Sequence, residues 1–249
     1  MPDLSTALSA VADFGAPELT MQSPQAGLDA RAEDDAVDAG TDRSADPAKD
    51  ADGATPTRKR PKPGERRVQI LQTLAAMLEE PGADRITTAA LAAKLSVSEA
   101  ALYRHFASKA QMFEGLIEFI EASIFSLINQ ITERDTDPAL QARRIVSMLL
   151  QFGEKNPGMA RVMVGDALVF ENERLSTRMN QFFDKIESQL RQSLRAAAEL
   201  AGSQTPTVDA NGRASALTAL AVGRLQRYTR SGFKRSPTEQ IEMALALLT

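Results

Sequence analysis

Three helix starts crowd into one short stretch of this chain, Arg85 to Met112, which reads RITTAALAAKLSVSEAALYRHFASKAQM. Thr87 is a capping residue type, able to accept a hydrogen bond from a backbone N–H that a helix's first turn leaves without a partner. Ile86 before it and Leu91 after it have the spacing of a hydrophobic staple. The arrangement recurs at Ser98, with Val97 ahead of it and Leu102 in the staple position. Ser108 follows, and its S-K-A-Q run has the spacing of a capping box. Only about three or four residues are left to join the first two helices, the connection length of a helix-turn-helix.

Helical spacing assigns Ile86, Leu91, Ala92, Leu95, Val97, Leu102 and Phe106 to a small core. Thr88, Lys94, Ser98, Glu99, Ala100, Tyr103, Arg104, His105 and Lys109 are not needed for it. The second helix thus offers small residues near its start and Tyr-Arg-His at its end. Small side chains allow close approach to base edges, and phenol, guanidinium and imidazole groups can bond to bases or phosphates. With Thr87, these residues form the candidate DNA face. Lys109 lies in the first turn after the Ser108 cap, where backbone N–H groups and an ammonium can share one phosphate. The patterning alone also fits an ordinary three-helix bundle with a solvated polar face.

ITTAALAAKLSVSEAALYRHFASKAQMF, with YRHF followed by a Ser-Lys helix start, resembles the DNA-binding half of TetR-type regulators. Beyond that half, LIEFIE (116–121), FGEKNPG (152–158) and RSGFKRSPT (230–238) resemble the nucleoid-occlusion branch of that family. The resemblance implies a homodimer that binds a palindromic double-stranded DNA site and inhibits the tubulin-like division protein FtsZ. It also implies that several dimers can occupy one site. It implies an FtsZ-binding groove at Phe119, Lys155 and Asn156. In the turn, Ser96 occupies a place often held by Gly, and it is expected to keep a negative φ.

The rest of the chain reads as all-α, since no segment shows convincing strand alternation. The expected organisation is an acidic tail (1–57), a basic extended arm (58–64), a three-helix helix-turn-helix domain (65–111), and a helical bundle that dimerises and holds the partner (112–249). Twelve Asp and Glu stand against three Lys and Arg in residues 1–57, a net of −9. With so few large apolar residues, the tail is predicted to be disordered. The remainder is basic although the whole chain has a formal charge of −4. Arg58, Lys59, Arg60, Lys62, Arg66 and Arg67 follow the tail, broken by Pro61, Pro63 and Gly64, and can track phosphates or a minor groove. No secretory signal opens the chain, and no apolar run is long enough to span a bilayer.

Helices are predicted over about 66–80, 109–132, 138–155, 158–164, 166–170, 174–200, 213–229 and 238–248, with a Gly-Ser-Pro-Asn-Gly loop over 202–212. Phe119 and Phe125 fall off the apolar face of the long 109–132 helix, suggesting a second contact surface. Ala214, Ala216, Ala219, Ala221 and Gly223 suit close helix packing at a dimer interface or within the chain.

Catalysis is not expected. There is no cysteine, His105 is the single histidine, and no Gly-rich phosphate loop follows a strand. No cofactor or metal is expected, and the protein is placed in the cytoplasm on the nucleoid. The alternative is a ligand-responsive repressor of the same fold, its bundle hollowed into a pocket lined by Met148, Phe152, Met163 and Phe170.

Overall fold

The computed structural model describes residues 64–80 and 85–249. The acidic tail, the arm residues Arg58 to Lys62 and the Pro81-Gly82 stop lie outside the described residues. All regular structure among the described residues is helical. The helices are α1 (Glu65–Glu79), α2 (Thr88–Lys94), α3 (Glu99–Tyr103), α4 (Lys109–Arg134) and α5 (Pro138–Lys155). They continue as α6 (Pro157–Met163), α7 (Glu173–Leu200), α8 (Pro206–Arg230) and α9 (Ile241–Leu248), with a 3₁₀ turn at Asp166–Leu168.

The three capped starts form as spaced. Thr87 Oγ1 accepts from the Ala90 N–H at 3.1 Å, Ser98 Oγ from Ala101 at 3.2 Å, and Ser108 Oγ from Gln111 at 3.2 Å. The return bond of the Ser108 box goes one residue early, with Gln111 Oε1 accepting from the Ala107 N–H at 2.8 Å. Pro138 begins α5 behind an Asp137 cap, the position where a missing N–H costs nothing.

Two turns differ from expectation. Ser96 takes a positive φ of 55°. Its N–H donates to the Ala93 carbonyl and that of Val97 to Ala92, each at 3.0 Å. This is the paired closure of a left-handed helix end, and the two bonds hold serine where glycine fits best. The expected 202–212 loop is also much shorter. Gly202 closes α7 at φ 74°, and Pro206 already starts α8. Asp209 in the first turn accepts from Ser203 Oγ and from Thr205 Oγ1 at 3.1 Å. Asn211 and Gly212, read as turn residues, lie on an exposed part of that helix.

One continuous core runs through both halves. Leu71, Leu74, Leu91, Leu102, Phe106, Phe113, Leu116 and Ile117 are buried around α1 to α4, and Ile145, Leu149, Phe182, Leu190, Leu217 and Leu225 within the bundle. Phe125 is half-buried and packs against the core, its ring meeting Phe182 edge-on with centroids 5.8 Å apart. Met148, Phe152 and Met163 are core residues, whereas Phe170 is exposed. Ala214 and Ala221 pack inside the chain, and Ala216 and Ala219 remain exposed on α8. Among the described residues, no helix is long and apolar enough to cross a membrane.

Candidate nucleic-acid interface

Helix α3 is five residues long, so its orientation rests on its neighbours. Leu102 and Phe106 anchor it from below, each 1% exposed. From the side, Thr88 Oγ1 donates to Glu99 Oε2 at 2.6 Å, and the Tyr103 hydroxyl donates to Thr88 Oγ1 at 3.4 Å. Thr88, Glu99 and Tyr103 thus form a polar clamp between α2 and α3. At the far end, Arg67 Nη1 donates to the His105 carbonyl at 2.7 Å, and its guanidinium lies 4.1 Å from the Phe106 ring centre.

The exposed surface left by these contacts contains Thr87, Ser98, Glu99, Ala100, Tyr103, Arg104 and His105. Two cations of the candidate face are drawn elsewhere. Lys94 pairs with Glu80 at 2.8 Å on open surface. Lys109 pairs with Glu171, whose side chain is only 10% exposed, and lies 5.6 Å from the Phe113 ring centre. The Lys109 ammonium, expected to share a phosphate with backbone N–H groups, is held here by a bundle carboxylate. Arg67, the cation in the first turns of α1, is likewise held as a brace. Its place on the Arg67, Ile70, Leu71, Leu74 stripe was the signal for that role.

Behind this face, the C-terminal end of α1 meets the Asn156-Pro157-Gly158 corner. A Cβ on Gly158 would lie 2.1 Å from the Ala75 carbonyl oxygen, so the approach requires glycine. Glu79, half-buried in the same contact, has its pKa raised by burial, while its hydrogen bond from the Gly158 backbone acts in the opposite direction. Asn156 is 5% exposed, and its Nδ2 donates to the Phe152 carbonyl at 2.8 Å. That bond ties the amide to the end of α5 and the side chain is buried, whereas the sequence reading offered the amide to a groove. Lys155 beside it is exposed, and Phe119 on α4 is half-buried. The acids flanking Phe119 turn to α7, with Arg178 2.6 Å from Glu121 and 3.6 Å from Glu118.

The RSGFKRSPT segment closes the corner from the other side. The buried Tyr228 hydroxyl donates to the Glu154 carbonyl at 3.0 Å. Burial first, then the charges of Glu154 and Glu79, push its pKa up to about 12. The Glu154 carboxylate accepts from Ser236 and from Thr238, the latter at 2.7 Å. Glu79, Glu154 and Tyr228 went unnoticed in the sequence, because a helical acid ordinarily reads as solvated surface and a lone Tyr as core.

The description "Bacterial regulatory proteins, tetR family" matches residues 70–116, and "Tetracyclin repressor-like, C-terminal domain", of the SlmA-like type, matches 137–249. The nucleoid occlusion factor SlmA of Vibrio vulnificus is 52% identical over 189 residues, which is 76% of this chain and 96% of that protein. SlmA of Salmonella paratyphi A is 50% identical over 184 residues, 74% of this chain and 92% of its own. Among solved structures, the fatty acid degradation regulator FadR of Bacillus halodurans superposes with a TM-score of 0.61 at 15% identity, over 76% of this chain and 96% of its own. PfmR of Thermus thermophilus, a TetR family regulator, does so at 0.59 and 21%, over 72% and 96%. These two likenesses speak for the fold, and the sequence relatives decide the branch: the chain belongs to the SlmA family, within the TetR class of bacterial regulatory proteins.

Proposed function

We propose that this chain is a nucleoid occlusion factor: a homodimer that binds a palindromic DNA site and, from that site, antagonises FtsZ and blocks septum assembly over the nucleoid. The observation that carries the reading is identity of about one residue in two, over three-quarters of the chain, to proteins bearing that name. In this reading, residues 65–111 take the DNA, while 112–249 pair the two copies and hold the partner in the cytoplasm. Ser98, Glu99, Ala100, Tyr103, Arg104 and His105 face the major groove, with Thr87, Thr88 and Lys94 at its edge. A two-fold pair sets its recognition helices about 34–36 Å apart, or a multiple of that distance. Several dimers can share one site.

The partner surface is the neighbourhood of Phe119 and Lys155, with Asn156 shaping the corner from inside. A half-buried phenylalanine can anchor an apolar peptide residue, an interaction worth about 2 kcal/mol at an interface centre. Lys155 adds attraction for an acidic one. The packed Met148, Phe152 and Met163 favour this reading over a hollow, ligand-responsive bundle.

Sedimentation of purified FtsZ polymer, with the protein and with or without its DNA site, tests the proposal. Wild type is expected to deplete pelleted polymer, more strongly when DNA is present. Phe119→Ala and Lys155→Asp are expected to lose that effect while retaining specific DNA binding. Undiminished antagonism by both variants would exclude the partner surface. Inactivity of wild type, coupled with release from DNA by a small molecule, would favour a repressor.

A further inference from the structure

The end of α8 and the loop after it carry Arg227, Arg230, Lys234 and Arg235 in the run RYTRSGFKR, which contains no acid. All four are exposed. The loop presenting them is built: Ser231 Oγ accepts from the backbone N–H groups of Lys234 and Arg235 at 3.1 and 2.9 Å. Phe233 sits at φ 65°, its ring centre 5.2 Å from that of Tyr228 and 5.1 Å from the Arg161 guanidinium. Several cations elsewhere pair with acids, among them Lys94–Glu80, Lys109–Glu171, Arg178–Glu121 and Arg191–Glu187. Among the described residues, no acid pairs with any of these four. The knuckle is a local excess of positive charge on an ordered frame.

Its position argues against DNA as the occupant. Arg67, near the start of α1, touches the His105 carbonyl, whereas Ala75 and Glu79 meet Gly158 at the other end. At about 1.5 Å per residue, these contacts are roughly 12–18 Å apart along α1. Arg161, whose guanidinium lies over the Phe233 ring, is on α6, the helix that carries the Gly158 contact.

We propose that the knuckle is the docking surface for the acidic N-terminal segment of the same chain, residues 1–57. That segment has a net charge of −9, and its densest run, Glu33 to Asp52, contains eight acids. The twelve residues from Asp52 to Gly64 can span about 40 Å at roughly 3.3 Å each. That exceeds the length of α1, about 22 Å. Tethering raises the effective concentration to about millimolar, so surface ion pairs that are individually weak can act together. The V. vulnificus relative matches 76% of this chain while covering 96% of its own length. The unmatched share is close to the length of this segment.

Carbodiimide cross-linking of the full chain tests the docking, since the reagent joins a lysine amine to an adjacent carboxylate with loss of water. Mass spectrometry of the digest is expected to show Lys234 linked to acids between Glu33 and Asp52. In an Arg227→Ser/Arg230→Ser/Arg235→Ser variant, that yield should fall about tenfold, as for the loss of three exposed ion pairs. The Lys94–Glu80 link should persist and report an intact fold. The proposal fails if the acidic segment links only to Lys59, Lys62, Lys94 or Lys109, or if the triple substitution leaves the Lys234 link unchanged. It also fails if Lys234 has no such link and the triple substitution instead lowers the salt dependence of DNA binding, which would make the knuckle a phosphate contact.

Discussion

Ser96 holds a φ of 55° at the end of α2, a region in which a Cβ crowds the following carbonyl and glycine does not. Ser96→Gly is expected to stabilise the protein by about 0.5–1 kcal/mol, the steric relief outweighing the extra freedom gained by the unfolded chain. A shift of the urea midpoint at constant slope measures it. The choice of serine was visible in the sequence; its backbone angle was not, because that angle follows from the bonds to Ala92 and Ala93. Glu79 carries a different strain. Burial raises its pKa above the ordinary 4.5, so the folded state holds this proton more tightly than the unfolded chain. At lower pH both states are protonated. As pH climbs through the raised value, the folded state must carry a half-buried charge, and this residue's contribution to stability falls. Glu79→Gln is therefore expected to gain on wild type as pH rises above the ordinary carboxylate range, read as the difference between their denaturation midpoints.

At the scale of elements, the caps were legible in detail and the contacts between elements much less so. Thr87, Ser98 and Ser108 stake out α2 to α4 by local chemistry alone, which a sequence displays directly. The start of α8 was missed because Asn211-Gly212 reads as a turn, while the interactions that override it, Ser203 and Thr205 with Asp209, look like ordinary loop polarity. The Lys109–Glu171 pair joins residues 62 positions apart, beyond any local pattern. It makes a definite prediction about how α4 meets DNA. Glu171→Gln should release the Lys109 ammonium to a phosphate, strengthening DNA binding at low salt and steepening its dependence on log salt by about one unit. Anisotropy titrations at several salt concentrations would read it, and an unchanged slope would mean that Lys109 does not reach the backbone.

Across the whole molecule, the two halves meet where α1 rests on α6, and Gly158 sets their closeness. Gly158→Ala should cost about 1–3 kcal/mol, as overpacking against backbone does, seen as a lowered thermal midpoint. A larger share of that cost should fall on communication between the halves. By linkage, any gain in FtsZ affinity on binding DNA has an equal counterpart in DNA affinity, and both should shrink together in this variant. The FGEKNPG motif was legible as a resemblance. Its physical reason, a carbonyl at Ala75 leaving no room for a methyl group, appears only when α1 and α6 are placed together. A tilt of α1 about the Gly158 contact would act as a lever. A rigid rod about 22 Å long that tilts by about 3° at the pivot moves its Arg67 end, and the tip of α3 with it, by about 1 Å. In the homodimer proposed above, such a rotation at each corner would change the gap between recognition helices by up to about 2 Å, enough to move both readers out of step with the groove.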